Sequence, residues 1–232
     1  MKTRFQPGPT SKFLIIWFGQ LISIIGSGLS SFALGIWVFQ STGSVTRFAL
    51  ISACFTLPAI VVSPLAGTII DRVSRRTVMI ASDLAAGFST LTLAILFFSG
   101  RLALWEICAL ICVESLAEAF RLPSYAAIIP QLVPGPHLAR AAGMMQFGPA
   151  AAQVLAPALS AVLIGAIHLQ GVLAIDFLSF VFALATLLAV RVPLLPRKGL
   201  RESFFKDATE GWRFIAIRPG LVALLFFSLL LT

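Results

Sequence analysis

Glu114, Glu118 and Arg121 follow one another at i, i+4 and i+7 inside a long apolar run, a spacing that puts all three on one stripe of a helix. An ionisable side chain in a membrane span costs about 2.5–3.5 kcal/mol on insertion scales, so each one is a candidate for function. Arg121 stands where it can neutralise Glu118, or Asp71 from another segment. Glu114 lies deeper and has no adjacent cation on its own helix. A carboxyl group in a low-dielectric medium holds a proton more readily than one in water. Glu114 is therefore the first proton-coupling candidate, with Glu118 and Asp176 beside it. Asp176 either lines a cavity or bonds to backbone of a neighbouring helix. Glu106, His137 and His168 fall at the edges of apolar runs, where they face water.

Other chemistry is absent from the sequence. There is no Gly-x-x-x-x-Gly-Lys-Ser/Thr loop for ATP, no Gly-x-Ser-x-Gly elbow, no His-Glu-x-x-His and no dinucleotide fingerprint. The expectation is no enzyme and no cofactor. Cys54, Cys108 and Cys112 all sit in apolar runs with no histidine nearby, which makes neither a disulfide framework nor a metal site. Cys108 and Cys112, at i and i+4, are best explained as small packing residues.

The elements that must position these residues are membrane spans. Hydrophobic residues make up 59% of the chain and charged residues 11%, with a mean hydropathy of +0.99. A soluble domain carries about 25% charged residues, so this chain needs lipid as solvent. About 20 apolar residues cross a hydrocarbon core, and six runs suffice: 13–39, 48–70, 77–99, 102–121, 142–167 and 169–190. A seventh begins at Leu221 and reaches Thr232, which gives it too few residues to span. The net charge of +8 comes from residues in the short gaps between runs rather than from a basic face, which argues against nucleic acid as a partner. Of the 17 Lys and Arg, only Arg47 and Arg101 fall in gaps on one side, and the other fifteen lie on the opposite side. By the positive-inside rule the N-terminus is cytoplasmic. The expected organisation is a six-helix bundle over 1–190, a cytoplasmic amphipathic linker over 191–220 and the truncated start of a seventh helix over 221–232. In the linker Phe204, Ala208, Trp212 and Ile215 repeat at helical spacing opposite Lys206, Glu210 and Arg213, as in a helix lying on the membrane surface.

Two patterns carry a family resemblance. After the second run stands Gly67-Thr-Ile-Ile-Asp71-Arg72-Val-Ser74-Arg75-Arg76. Read from the residues, Gly67 allows a close helix approach and three arginines crowd a short turn beside one acid. The order resembles the loop-2/3 signature of the major facilitator superfamily, Gly-x-x-x-Asp-Arg-x-Gly-Arg-Arg, with Ser74 for the second glycine. In the fifth run Gly143, Ala152, Ala156-Pro157 and Ser160-Ala161 are similar to that superfamily's antiporter motif, with alanine or serine in most glycine slots. The first run adds Gly26, Gly28, Ser31 and Gly35, which thin one side of a helix either for tight packing or for a cavity wall.

With Thr42-Gly43-Ser44, Pro58, Pro64, Pro123 and the acidic stretch at Asp176, the chain resembles the macrolide-efflux branch of the drug:proton antiporters. The resemblance covers the whole chain as the N-terminal half of a twelve-span fold. It implies an all-α membrane bundle and a substrate site between two halves. It also implies a cytoplasmic gate built from Gly67, Asp71, Arg72, Arg75, Arg76, Asp83 and Arg121. The expected function is export of an amphipathic small molecule in exchange for protons, across a bacterial-type inner membrane, by alternating access. The expected partners are that substrate, protons, the lipid bilayer and a missing C-terminal half. The rivals are a proton-coupled nutrient importer and a non-transporting stranded half.

Overall fold

In lipid every backbone N–H and C=O must be satisfied internally, and a helix does this within one segment. The computed structural model describes residues 9–70, 73–100 and 102–190, and it is built of helices throughout these residues. They are α1 (Pro9–Thr42), α2 (Val45–Ile70), α3 (Arg75–Phe98) and α4 (Leu104–Leu132). A short 3-10 turn at Gly135–His137 leads into Leu138–Ala189, which breaks at His168 (φ 57°, ψ 178°) into α5 (138–167) and α6 (169–189). Six helices thus stand where six apolar runs were expected. By length and hydropathy alone Ser11–Thr42, Val45–Ser63, Arg75–Phe98 and Gly135–Ala189 qualify as membrane-crossing. Helix α4 has the length but carries Glu106, Glu114, Glu118 and Arg121. The proposed linker and the start of a seventh helix, over 191–232, lie outside the described residues.

The expected end of the fourth run at 121 is corrected: α4 continues to Leu132 with Pro123 and Pro130 inside it. Proline removes a backbone donor, but partners on neighbouring helices make that tolerable in a membrane helix. The Arg75 guanidinium donates to the Ala127 carbonyl at 2.7 Å. Tyr125, Ile128, Ile129 and Leu132 are buried against Phe13, Ile16 and Met79, so apolar packing outweighs the local proline signal. Arg121 consequently lies well inside a helix rather than at its end.

Two apolar clusters close the ends of the bundle. One joins Leu29, Leu34 and Val38 of α1 to Ile51, Leu93, Ile107, Ile111 and Leu173. The other joins Phe13 and Ile16 of α1 to Met79, Tyr125, Ile128, Ala141 and Leu187. Between them each of α1, α3, α4 and α6 carries its buried polar residues. The polar seam therefore runs at mid-depth, the costliest place for it.

Small residues bring α1 close to α5 and α6. A Cβ on Gly28 would stand 3.1 Å from the Ala156 Cβ and 3.6 Å from that of Ala152. One on Gly26 would collide with Ser179. The contact is fixed by Ser160 Oγ donating to the Leu29 carbonyl at 2.9 Å and Trp17 Nε1 donating to the Met144 carbonyl at 2.7 Å. Such interhelical bonds are each worth about 0.6 kcal/mol on average in a bilayer; together they set the register. Arg76 Nη2 donates to the carbonyls of Leu187 and Leu188 at 3.1 Å, satisfying acceptors that the last turn of α6 leaves free.

Candidate functional site

Helical spacing aligns the polar residues of α1 at 20, 23, 27 and 30, those of α3 at 83 and 90, and those of α4 at 114, 118 and 121. These three stripes face one another, with Asp176 of α6 behind them. They form two linked groups. In the first, Arg121 pairs with Glu118, its Nε donating to Oε2 at 2.6 Å. Arg121 Nη1 donates to Gln20 Oε1 at 2.9 Å, and Gln20 Nε2 donates to Asp83 Oδ2 at 3.1 Å. Gln20 is thus a bridge whose amide oxygen accepts from the cation while its amide nitrogen donates to the anion. Of the two partners sequence reasoning left open for Arg121, Glu118 is the one observed; Asp71 and Arg72 lie outside the described residues.

In the second group Thr90 Oγ1 stands 2.9 Å from Glu114 Oε1 and 3.2 Å from Asp176 Oδ2. Ser30 also donates to Asp176 Oδ2, and Ser27 Oγ lies 3.4 Å from Oδ1. Thr90, Asp176 and Ser30 are all buried. Asp176 therefore neither lines the cavity nor bonds to neighbouring backbone, the two expectations for it. Instead, side-chain hydroxyls of α1 and α3 hold it just behind the cavity wall.

The cavity has a volume of about 400 Å³. Its walls come chiefly from α1, α2, α4 and α5, with Ser82, Ala86 and Phe180 at its back. Glu114, Glu118 and Arg121 face it from one side, and Phe32, Phe48 and Phe55 form an apolar side. An apolar pocket with a few convergent polar groups is the usual form of a small-molecule site. The two readings of the α1 small residues both hold here. Gly26 is pressed on α6, while Gly28, Ser31 and Gly35 line the cavity.

Other expected residues divide. Ala152, Ala156 and Ser160 are buried on α1, and Pro157 lines the cavity, whereas Gly143 and Ala161 are exposed. Gly67 is corrected: a Cβ there would meet nothing within 4 Å, so no close helix approach is made at it among the described residues. The same turn of α2 packs instead through Ala66 and Ile70, which are buried with Val78 of α3. Arg75 and Arg76 bind carbonyls of α4 and α6. Glu106, partly exposed at the start of α4, caps that helix: its Oε2 accepts from the Ala103 N–H at 2.9 Å. Cys54, Cys108 and Cys112 are free and partly buried. Gln20 and Thr90 escaped sequence reasoning, although Gln20, Ser23, Ser27 and Ser30 repeat at helical spacing within an apolar run.

Known proteins share this fold. A model of the transmembrane secretion effector family matches residues 2–230. The chain belongs to that family, within the major facilitator superfamily. It is 32% identical to macrolide efflux protein A of Streptococcus pyogenes, over 92% of this chain and 53% of that one. It is 33% identical to macrolide efflux protein A of Enterococcus faecalis, over 73% and 53%. The fold matches that of the human organic anion transporter MFSD10 with a TM-score of 0.65 at 16% identity, over 88% of this chain and 53% of the other. The chain therefore spans about half the length of the curated relatives it matches. It is a multi-pass membrane protein with half of a major facilitator fold.

Proposed function

We propose that this chain forms the N-terminal half of a secondary active transporter that exports an amphipathic small molecule in exchange for protons. The observation that carries the reading is Glu114: a buried carboxyl with no cation bonded to it among the described residues, facing an apolar cavity and tied through Thr90 to a second carboxyl. A carboxyl so placed can gain and lose a proton where a substrate sits. Two relatives are named for macrolide efflux, so a macrolide is the first substrate to test. Alternating access follows from the half-fold: a second six-helix half completes the cavity and rocks against this one. The N-terminus is cytoplasmic on the charge asymmetry. That puts Arg75, Arg76, Asp71 and Arg72 at the inner gate, with Asp83 and Arg121 above it.

The test is macrolide efflux driven by an imposed pH gradient, in vesicles carrying the full-length protein to which these residues belong. Glu114→Gln keeps the shape of the side chain and removes its titration. It is expected to abolish proton-driven export while retaining macrolide binding. Full export by Glu114→Gln would make that residue structural and defeat the reading.

A further inference from the structure

Hydrogen-bond counting at Thr90 defines a protonation state. A hydroxyl owns one hydrogen, and an ionised carboxylate can only accept. Thr90 Oγ1 lies within bonding distance of carboxylate oxygens on both sides, at 2.9 Å and 3.2 Å. If Glu114 and Asp176 were both ionised, one of these contacts would set two acceptors face to face in a buried site. One carboxyl must therefore carry a proton and donate it to Oγ1, while Thr90 donates to the other. Asp176 Oδ2 already receives Ser30, and Ser27 approaches Oδ1; Glu114 has Thr90 alone among the described residues. The donor-rich partner holds the charge and the donor-poor one the proton.

We infer that Thr90 is a relay hydroxyl that makes Glu114 and Asp176 a single one-proton site, joining the cavity face to the buried face behind it. This rests on the proposed proton-coupled reading and deepens it. In the relay step the Glu114 Oε1–H bond breaks as that proton bonds to Thr90 Oγ1. The Thr90 proton leaves Oγ1 in the same step and bonds to Asp176 Oδ2. No proton is gained or lost, and the negative charge passes from behind the wall to the cavity face. Other charged groups near this site are Arg121 and Glu118 of α4 and Asp83 of α3, already tied to one another through Gln20. None of α1, α2 and α5 presents a charged side chain to the cavity.

The experiment is infrared spectroscopy on the 232-residue chain in lipid, with glutamate and aspartate carboxyls isotope-labelled in turn and the pH varied. The wild-type protein is expected to show a hydrogen-bonded, protonated glutamic acid at neutral pH that Glu114→Gln removes, and the pair should titrate in two separated steps. Thr90→Val should move that band to the frequency of a free carboxylic acid and bring the two steps closer by about one pH unit, the size of one lost charge-assisted bond. Thr90→Ser should restore both. Asp176→Asn, a second variant of unchanged shape, should collapse the titration to one step. An unmoved band and unchanged steps in Thr90→Val would overturn the relay, as would two steps surviving in Asp176→Asn or no protonated glutamic acid in the wild type. The proton-coupled reading fails separately, on pH-driven efflux surviving in Glu114→Gln.

Discussion

Removing Arg121 should destabilise the bundle far more than removing its ion-pair partner. The Arg121 side chain is 5% exposed, and that of Glu118 is 28% exposed where it meets the cavity. Asp83, the other anion of the group, is 2% exposed, and its Oδ1 has no partner among the described residues. In Arg121→Met, Glu118 can still reach water in the cavity, but Asp83 is stranded with a Gln20 that has lost the donor facing its own oxygen. Deleting one partner of a buried pair costs about 3–5 kcal/mol, and this variant should fall in that range. Glu118→Gln retains an oxygen that can accept from Arg121, so only part of one charge-assisted bond is lost, about 0.5–1.5 kcal/mol. Adding Asp83→Asn to Arg121→Met removes the stranded charge and should recover about 1–3 kcal/mol, the usual size of coupling between contacting residues. The assay is unfolding in detergent micelles followed by helical circular dichroism, with the wild type and the three variants measured under one condition. Equal costs for Arg121→Met and Glu118→Gln, or no recovery from the added Asp83→Asn, would refute the placement of the charge balance.

Three further outcomes are expected. In a cysteine-free background, cysteines at Gly43 and Leu102 should label from outside intact cells and one at Ser74 should not; external labelling at Ser74 would invert the orientation. Gly28→Ile should lose about 1–3 kcal/mol by overpacking against Ala156, whereas Gly143→Ala, with nothing within 4 Å, should leave the unfolding midpoint unchanged; equal effects would deny the α1–α5 contact. His168→Gly should raise the unfolding midpoint, because φ 57° with ψ 178° is a region that costs a non-glycine residue about 1–3 kcal/mol; a lowered midpoint would show that the His168 side chain holds the turn.

The span count was legible because it needs only apolar length, and Glu114 because an acid deep in such a run, with no adjacent cation on its own helix, has few explanations. Gln20 and Thr90 were hidden because uncharged polar residues are ordinary in membrane helices. What gives them a role is the azimuth of one helix against another, which a single sequence does not encode. The end of α4 was placed at 121 because apolar length is a local signal, whereas burial of Tyr125, Ile128 and Ile129 against α1 and α3 depends on residues far away in the sequence. Gly67 shows the converse. Its motif was plain to see, yet the close contact expected of a glycine is not made within these helices.

Helix α1 ties the two polar groups to the cavity. Gln20 holds Arg121 to Asp83 at one level, and Ser27 and Ser30 hold Asp176 at the next. The same helix supplies Ser27, Gly28, Ser31, Phe32 and Gly35 to the cavity wall. Ser27 belongs to both sets, so a change in the tilt of α1 alters the cavity and the hydroxyl contacts of Asp176 together. Close packing makes that motion discrete: Gly26 and Gly28 leave no slack against Ser179 and Ala156, and tightly packed interfaces shift between arrangements instead of deforming continuously. On the proposed proton-coupled reading, α1 is the element that links the Glu114–Asp176 pair to the shape of the cavity, with no need for a longer path across the bundle.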